Sequence, residues 1–162
     1  MQVGFDAFYE TKVPEAELII SRTDLKGFIT YANETFAQIS GYTIDELIGK
    51  PHNIVRHKDM PKSVFKTLWE TIQSGKKWEG AVKNRRSDGG YYWVWAEVSG
   101  VEKDGKVVEY KSMRYPMSIE DKKKYQKLYE SLKEKEENEC FATFYLPCSK
   151  MDEVKEFLKN LS

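Results

Sequence analysis

Residues 78–115 read WEGAVKNRRSDGGYYWVWAEVSGVEKDGKVVEYKSMRY, and this stretch decides the fold class. Two turn signals divide it into three β-rich runs: Ser87-Asp88-Gly89-Gly90 and Lys103-Asp104-Gly105. The pattern predicts a meander of three antiparallel strands over residues 78–85, 91–101 and 107–115. Two shorter strands are expected upstream, over residues 18–23 and 28–32, with a tight turn between them.

Short helices are expected between the second and third strands. Asn33 is predicted to cap a helix that Gly41 stops, and Thr43 begins a capping box with Glu46. A longer helix is predicted over residues 61–74, where apolar residues fall at helical spacing. Strands and helices in this order indicate an α+β domain with one open sheet face.

The chain is predicted to have three parts: an N-terminal arm over residues 1–17, a sensor domain over 18–118, and a C-terminal extension over 119–162. The extension starts with a charged helix over 119–139, whose narrow apolar stripe should pack on the domain or on a partner. A strand over 140–146 and an amphipathic helix over 149–161 are predicted to follow. This tail is expected to bind a partner.

Charge and hydropathy narrow the function classes. The 26 basic and 26 acidic residues balance, which does not favour nucleic acid or an anionic membrane surface. The longest apolar runs are too short to span a bilayer, and no signal peptide precedes them, so a cytoplasmic protein without direct membrane insertion is expected. The two cysteines, Cys140 and Cys148, do not indicate a disulfide framework or zinc site.

An enzyme is not favoured by the sequence. No serine or cysteine lies in a nucleophile elbow, and there is no glycine-rich phosphate loop. His52 and His57 are five residues apart, which is not the one-face spacing of a helical metal pair. No catalytic residue and no metal ligand is therefore predicted.

Residues 49–61, GKPHNIVRHKDMP, crowd polar groups into one turn. Arg56 offers five donors, His57 can donate or accept, and Asp59 can cap the helix that follows. Such a turn should either face water or hold a polar ligand, since burying it empty is costly.

Strand parity separates two faces of the meander. The first strand places Trp78, Val82 and Asn84 on one side, which suits either ordinary core or the wall of a pocket for a flat ring with polar edges. Tyr91, Trp93 and Trp95 share the opposite face of the sheet. They are predicted to form a docking surface for a partner, with the alternative that the arm or the C-terminal helix folds over them.

Several motifs resemble a known family. FITYANETF at residues 28–36 and SGYT at 40–43 resemble the opening of PAS domains. Four further stretches are similar to the PAS sensor of bacterial aerotaxis receptors: residues 49–61, GKKWEG at 75–80, VKNRR at 82–86 and YWV at 92–94. The resemblance runs from about residue 21 to about residue 119. It implies a PAS fold, with a five-stranded antiparallel sheet and short helices enclosing a cofactor pocket.

The resemblance also implies a cofactor, a noncovalently bound FAD that reports redox or energy state. The positions expected to bind or sense it are Asn33, Arg56, His57, Asp59, Trp69, Trp78, Asn84 and Arg114. Photosensory relatives need a cysteine in the helix beside the flavin, and this chain has none there. Of the two histidines, His57 is favoured as a cofactor ligand and His52 as a structural residue.

The implied partner is a separate membrane-bound chemoreceptor with a signalling domain, as in the short PAS proteins of bipartite energy-taxis systems. The protein would then reach the inner membrane through that receptor, and a homodimer is left open. Two alternatives are a haem-binding gas or redox sensor with His52 or His57 as axial ligand, and a cofactor-free docking adaptor.

Overall fold

A computed structural model describes residues 9–143 of the chain. Its centre is one antiparallel sheet of five strands: β1 Ile19–Thr23, β2 Ile29–Ala32, β3 Trp78–Arg85, β4 Tyr91–Lys103 and β5 Lys106–Tyr115. The strands lie in the order β2-β1-β5-β4-β3, so the first strand pairs with the last. The predicted α+β class and five-stranded sheet are confirmed.

The turn between β4 and β5 follows from its sequence. Asp104 and Gly105 both have positive φ angles, of 52° and 76°. Tight hairpins favour such angles because their twist then matches that of the flanking strands, and Asp-Gly is a preferred pair for them. This turn aligns β4 with β5 along most of their length.

Three short helical segments connect β2 to the longer helix that packs on the sheet. They are α1 Glu34–Ser40, α2 Ile44–Leu47 and a 3-10 helix His52–Val55. The predicted caps are confirmed: the Asn33 side chain accepts from the Phe36 N–H, Thr43 and Glu46 form a capping box, and Gly41 ends α1 in the left-handed conformation. These local signals fix where the chain enters and leaves each helix.

Helix α3, Lys62–Gln73, begins at Pro61 without a side-chain cap from its own segment. The prediction that Asp59 caps it is wrong. The Glu136 carboxylate accepts instead from the N–H groups of Lys62 and Ser63, at 3.0 and 2.8 Å. A carboxylate there stabilises the positive end of the helix dipole, and it comes from the C-terminal helix.

That C-terminal helix, α4, runs over Ile119–Thr143. The strand predicted from residue 140 is therefore wrong as far as residue 143, where the chain is still helical; residues 144–146 and the predicted helix over 149–161 lie outside the described part. Helix α4 packs across the outer face of β3 and β4, where the Tyr129 hydroxyl donates to the Ala81 carbonyl at 2.6 Å. The sheet face that was expected to be open is covered.

The N-terminal arm also attaches to the sheet. The Thr11 N–H donates to the Tyr91 carbonyl, and the Tyr91 N–H donates to the Tyr9 carbonyl. Lys122 of α4 pairs with Glu10 at 2.6 Å. Residues 9–11 of the arm thus pair in parallel alongside Tyr91, the first residue of β4.

Candidate functional site

A cavity of about 260 Å³ lies between the inner face of the sheet and helix α3. Its volume is close to the small end of ligand pockets, which begin at roughly 300 Å³. Its lining comes from β1, β3, β4, β5, α3 and the 3-10 helix, and includes Ser21, His52, Asn53, Arg56, Phe65, Leu68, Trp69, Val82, Asn84, Ala96, Val98, Ser112 and Arg114. Strand parity therefore places Val82 and Asn84 where the pocket interpretation expected them.

The cavity has apolar walls and a polar edge. Leu68 and Trp69 face it from α3, opposite Val82 and Val98 of the sheet. The indole of Trp69 is held edge-on to Tyr110, with ring centroids 5.8 Å apart. Asn84, which is 3% exposed, adds an amide to this otherwise apolar wall. Such a slot suits a flat ring that has hydrogen-bonding groups at its rim.

Of the described basic residues that line the cavity, Arg114 is the one that is buried. Its guanidinium is 3% exposed, and Nη2 donates to the Ser21 hydroxyl at 2.9 Å and to His52 Nε2 at 2.7 Å. Burial lowers the pKa of Arg114 to about 10, so the group still carries its charge at neutral pH. Within residues 9–139, no carboxylate forms an ion pair with Arg114.

Two buried polar atoms of the cavity lining have no hydrogen-bond partner within the described residues. They are Nη1 of Arg114 and the hydroxyl oxygen of Ser112. A buried polar atom without a partner costs about 1–3 kcal/mol, and such atoms are rare unless a ligand or water satisfies them. The lining therefore fits a polar occupant better than an apolar one.

His52 is neutral in this arrangement. Burial, and next the charge of Arg114, lower the pKa of His52 to about 3. Its ring stacks on Phe36 with centroids 5.7 Å apart and planes 8° apart. The expectation that His52 is merely structural places it away from the ligand site, whereas the structure places it in the cavity lining.

Arg56 stands where the cavity meets a second, more open groove of about 670 Å³. Its guanidinium lies 3.7 Å from the centre of the Phe65 ring, and both side chains line both spaces. The backbone of Arg56 pairs with that of Asn84, which ties this loop to β3. The second groove is lined by Lys58, Lys62, Arg85 and Lys133 together with Glu136 and Glu137, so basic side chains outnumber acidic ones along it.

His57 and Asp59 lie outside the first cavity. His57 is 3% exposed, lines the second groove, and accepts with Nδ1 from the Asp59 N–H at 3.0 Å. Asp59 pairs with Lys83 at 2.7 Å on the outer side of β3. Burial alone would raise the pKa of Asp59, but hydrogen bonding and charge from Lys83 hold that pKa below its ordinary value.

Asn33 and Trp78 also lie outside the cavity lining. Asn33 accepts from the N–H groups of Ile20 and Phe36 and donates to the Leu18 carbonyl, which uses its side chain to join β1 to α1. Trp78 is buried, and its ring crosses Gly80 so closely that a Cβ there would lie 2.6 Å from it. The structure thus brings Arg56, Trp69, Asn84 and Arg114 together and leaves the other four positions outside.

Comparison with known proteins agrees with this architecture. The profile of the PAS fold family matches residues 29–114, more than half of the chain. The chain belongs to the PAS fold family.

The chain is similar to parts of a receptor and of a regulatory protein. The chain is 44% identical over 122 residues to the aerotaxis receptor of Escherichia coli, covering 75% of this chain and 24% of that receptor. It is 29% identical over 110 residues to the nitrogen fixation regulatory protein of Klebsiella pneumoniae, covering 67% of this chain and 22% of that protein. The chain thus spans about a quarter of the length of these relatives. The predicted likeness to bacterial aerotaxis receptors is confirmed.

A solved light-oxygen-voltage domain, studied with a flavin analogue, has the same fold. It superposes with a TM-score of 0.63 over 72% of this chain and 89% of its own, at 20% identity. At that identity the likeness supports the fold alone. Within the described part of the PAS domain, no group of acidic, histidine or cysteine side chains could hold a metal ion, and no helix could cross a bilayer.

The outer face of the sheet differs from the prediction of an exposed docking surface. Trp93 is 4% exposed and stacks on Tyr129 of α4, and Trp95 meets Tyr125 edge-on. Tyr91 is covered in part by the arm. The alternative, in which the arm and the C-terminal helix fold over these aromatic residues, is the arrangement observed. The physical reason is that α4 carries tyrosines at the spacing that meets both tryptophans.

Several residues that line the PAS cavity were not predicted as flavin-site residues, among them Ser21, Ser112 and His52. Ser21 and Ser112 are polar residues at inward positions of β1 and β5, two residues from Ile19 and Arg114 respectively. Alternation along both strands could have identified them. His52 gave no such signal, because its position depends on the 3-10 helix that turns it toward β1.

Proposed function

We propose that this PAS domain is a redox sensor that binds FAD noncovalently and passes its redox state to a separate membrane-bound chemoreceptor. The observation that carries the proposal is the narrow apolar cavity with buried, unpartnered donors at Arg114 and Ser112. An isoalloxazine ring is flat and apolar on its faces and polar along its rim, which is the chemistry this lining complements. The likeness to the aerotaxis receptor supports the same conclusion.

The ring would lie between the α3 wall and the sheet. Leu68 and Trp69 would cover one face, and Val82 and Val98 the other. Asn84 and Arg114 would meet the polar rim, since an amide can donate and accept whereas a guanidinium only donates. No cysteine lines this cavity, so covalent attachment of the ring through a thiol is not proposed.

FAD is proposed rather than a shorter flavin because the second groove continues the first. Arg56 and Phe65 line both spaces, so one ligand could pass from the first into the second beside them. The guanidinium of Arg56 suits a pyrophosphate, because its planar fork pairs with two phosphate oxygens. Arg85 and the neighbouring lysines add positive charge where the nucleotide half would lie.

A path for the signal runs through β3. Asn84 faces the cavity, while the preceding residue, Lys83, faces α4 and donates to Asp59 and to Gln126. A change in the hydrogen bonds of Asn84 would therefore shift a strand that holds α4 in place. We propose that the receptor recognises α4 and the partly exposed Trp95 beside it, with coupling of about 1–3 kcal/mol. The domain would act in the cytoplasm as a sensor and not as an enzyme.

The two alternatives are less well supported. A haem would need a histidine nitrogen that is available inside the cavity, but Nε2 of His52 accepts from Arg114, and His57 lies outside the cavity lining. A cofactor-free adaptor would leave the donors of Arg114 and Ser112 unsatisfied, at the cost of buried polar groups without partners.

The test is a titration of apoprotein with FAD and with riboflavin, followed by flavin fluorescence. Arg56→Gln should weaken FAD binding by about tenfold or more, the effect of losing a hydrogen bond to a charged group, and should leave riboflavin binding nearly unchanged. Lys58→Gln, a matched loss of charge in the second groove alone, is the control and should have a smaller effect. Equal losses for both ligands in Arg56→Gln would contradict the assignment, and no binding of either flavin would overturn the function.

A further inference from the structure

The cluster of Ser21, His52 and Arg114 has a geometry that ordinary core packing does not require. One guanidinium nitrogen, Nη2, donates to both the serine hydroxyl and the imidazole, while the other, Nη1, has no partner within the described residues. Ser21 and His52 are themselves 3.0 Å apart. All three residues line the cavity.

The proton positions in this cluster follow from chemistry. A guanidinium only donates, so His52 Nε2 must accept from Arg114 and carry no hydrogen. A neutral imidazole then bears its proton on Nδ1. Because the same ring nitrogen lies at hydrogen-bond distance from the Ser21 hydroxyl, His52 and Ser21 together determine where Nη2 sits.

Phe36 contacts both His52 and Arg114 and so helps to hold them in place. Its ring stacks on His52, and the Arg114 guanidinium lies 4.8 Å from the ring centre. Cation–π contact stabilises the charge while leaving the nitrogens of the guanidinium free to donate. The Arg114 charge is thus fixed in place by neutral groups, and no carboxylate within residues 9–139 neutralises it.

We infer that His52 is a positioning residue, which fixes the Arg114 guanidinium so that Nη1 donates to the occupant and its charge favours the reduced, anionic form of a flavin. This inference rests on the proposed function. Uptake of two electrons from dithionite and one proton from water leaves a flavin with one additional negative charge. A fixed cation in a water-poor cavity binds that form more tightly than the neutral oxidised form.

The test measures midpoint potential and flavin affinity in Arg114→Gln, His52→Leu and His52→Gln. Arg114→Gln should reduce the preference for reduced over oxidised flavin by about tenfold, which is about 30 mV for a two-electron couple. His52→Leu should produce most of that shift although Arg114 is still present. His52→Gln should restore the potential, since its amide oxygen can accept from Nη2.

The double variant His52→Leu/Arg114→Gln distinguishes positioning from a general structural role. Its potential should equal that of Arg114→Gln alone, because the positioning residue has nothing left to position. If His52→Leu does not fold, Ser21→Ala removes the second acceptor of Nη2 and should lower the potential in the same direction. Yellow variants with unchanged potentials would overturn the inference, whereas a wild-type protein that binds no flavin would instead overturn the proposed function.

Discussion

The two faces of the sheet differ in whether their buried polar atoms have partners. The outer face of β3 and β4 places Trp93 and Trp95 against tyrosines of α4, and the Tyr129 hydroxyl finds a backbone carbonyl. The inner face leaves Arg114 Nη1 and the Ser112 hydroxyl buried and unpartnered. The polar groups of the outer face are therefore satisfied within one chain, whereas those of the inner face are left for the ligand that we propose. A protein that senses through its inner face can report the change through α4.

The largest loss of stability is expected from a substitution on the outer face. Trp93→Ala removes a buried indole and its stacking on Tyr129, so it should lower the free energy of unfolding by about 3–5 kcal/mol. Urea denaturation of the protein, followed by circular dichroism, measures this change. A loss below about 1 kcal/mol would mean that α4 does not cover this face in solution.

The stability of the protein should fall at acid pH in part because of His52 on the inner side of the sheet. The pKa of His52 is about 3 in the folded chain and 6.5 in the unfolded chain. Between those pH values the unfolded chain therefore binds a proton at His52 that the folded chain does not bind. The stabilisation from neutral His52 is complete above pH 6.5 and declines below it, by about 1–2 kcal/mol between pH 7 and pH 5. His52→Gln should lose that part of the pH dependence when denaturation is measured at both pH values. An unchanged slope would contradict a neutral imidazole held in the cavity lining.

Removing the contact between α4 and α3 should lower the stability of the protein by a moderate amount. Glu136→Ala removes the carboxylate that caps α3 at Lys62 and Ser63, which should cost about 1 kcal/mol in the free energy of unfolding. Glu137→Ala, a neighbouring exposed glutamate, is the matched control and should cost much less. Equal changes in the two variants would show that the cap does not join the helices.

The smallest effect on stability, and the most informative, is expected at Ser112. Ser112→Ala should leave the apoprotein as stable or slightly more stable, because it removes a buried hydroxyl that has no partner. The free energy of flavin binding should become less favourable by about 0.5–1.5 kcal/mol, the contribution of one hydrogen bond. A large loss of apoprotein stability without a change in affinity would assign Ser112 to the core instead.

Much of the fold could be predicted from local chemistry. Asp104-Gly105 supplies the positive φ angles of its turn, and Asn33 and Thr43 supply side-chain oxygens where helices begin. Alternation along β3 put Val82 and Asn84 on one face but left open whether that face was core or pocket wall; both residues line the cavity. Each of these signals acts within a few residues, so the sequence pattern contains it directly.

What could not be predicted depends on contacts between distant segments. Glu136 caps a helix that begins 74 residues earlier, while Asp59 pairs with Lys83 and does not cap that helix. Leu128 on α4 is apolar but exposed, whereas Tyr129 beside it packs on Trp93. Helical periodicity limits which residues share a face, but it does not say which neighbour that face will meet.

The absorbance spectrum of the purified protein tests the central claim most directly. The account predicts flavin bands that bleach when dithionite is added, and release of FAD when the protein is denatured. A Soret band, or a colourless protein that takes up no flavin after incubation with excess FAD, would contradict it.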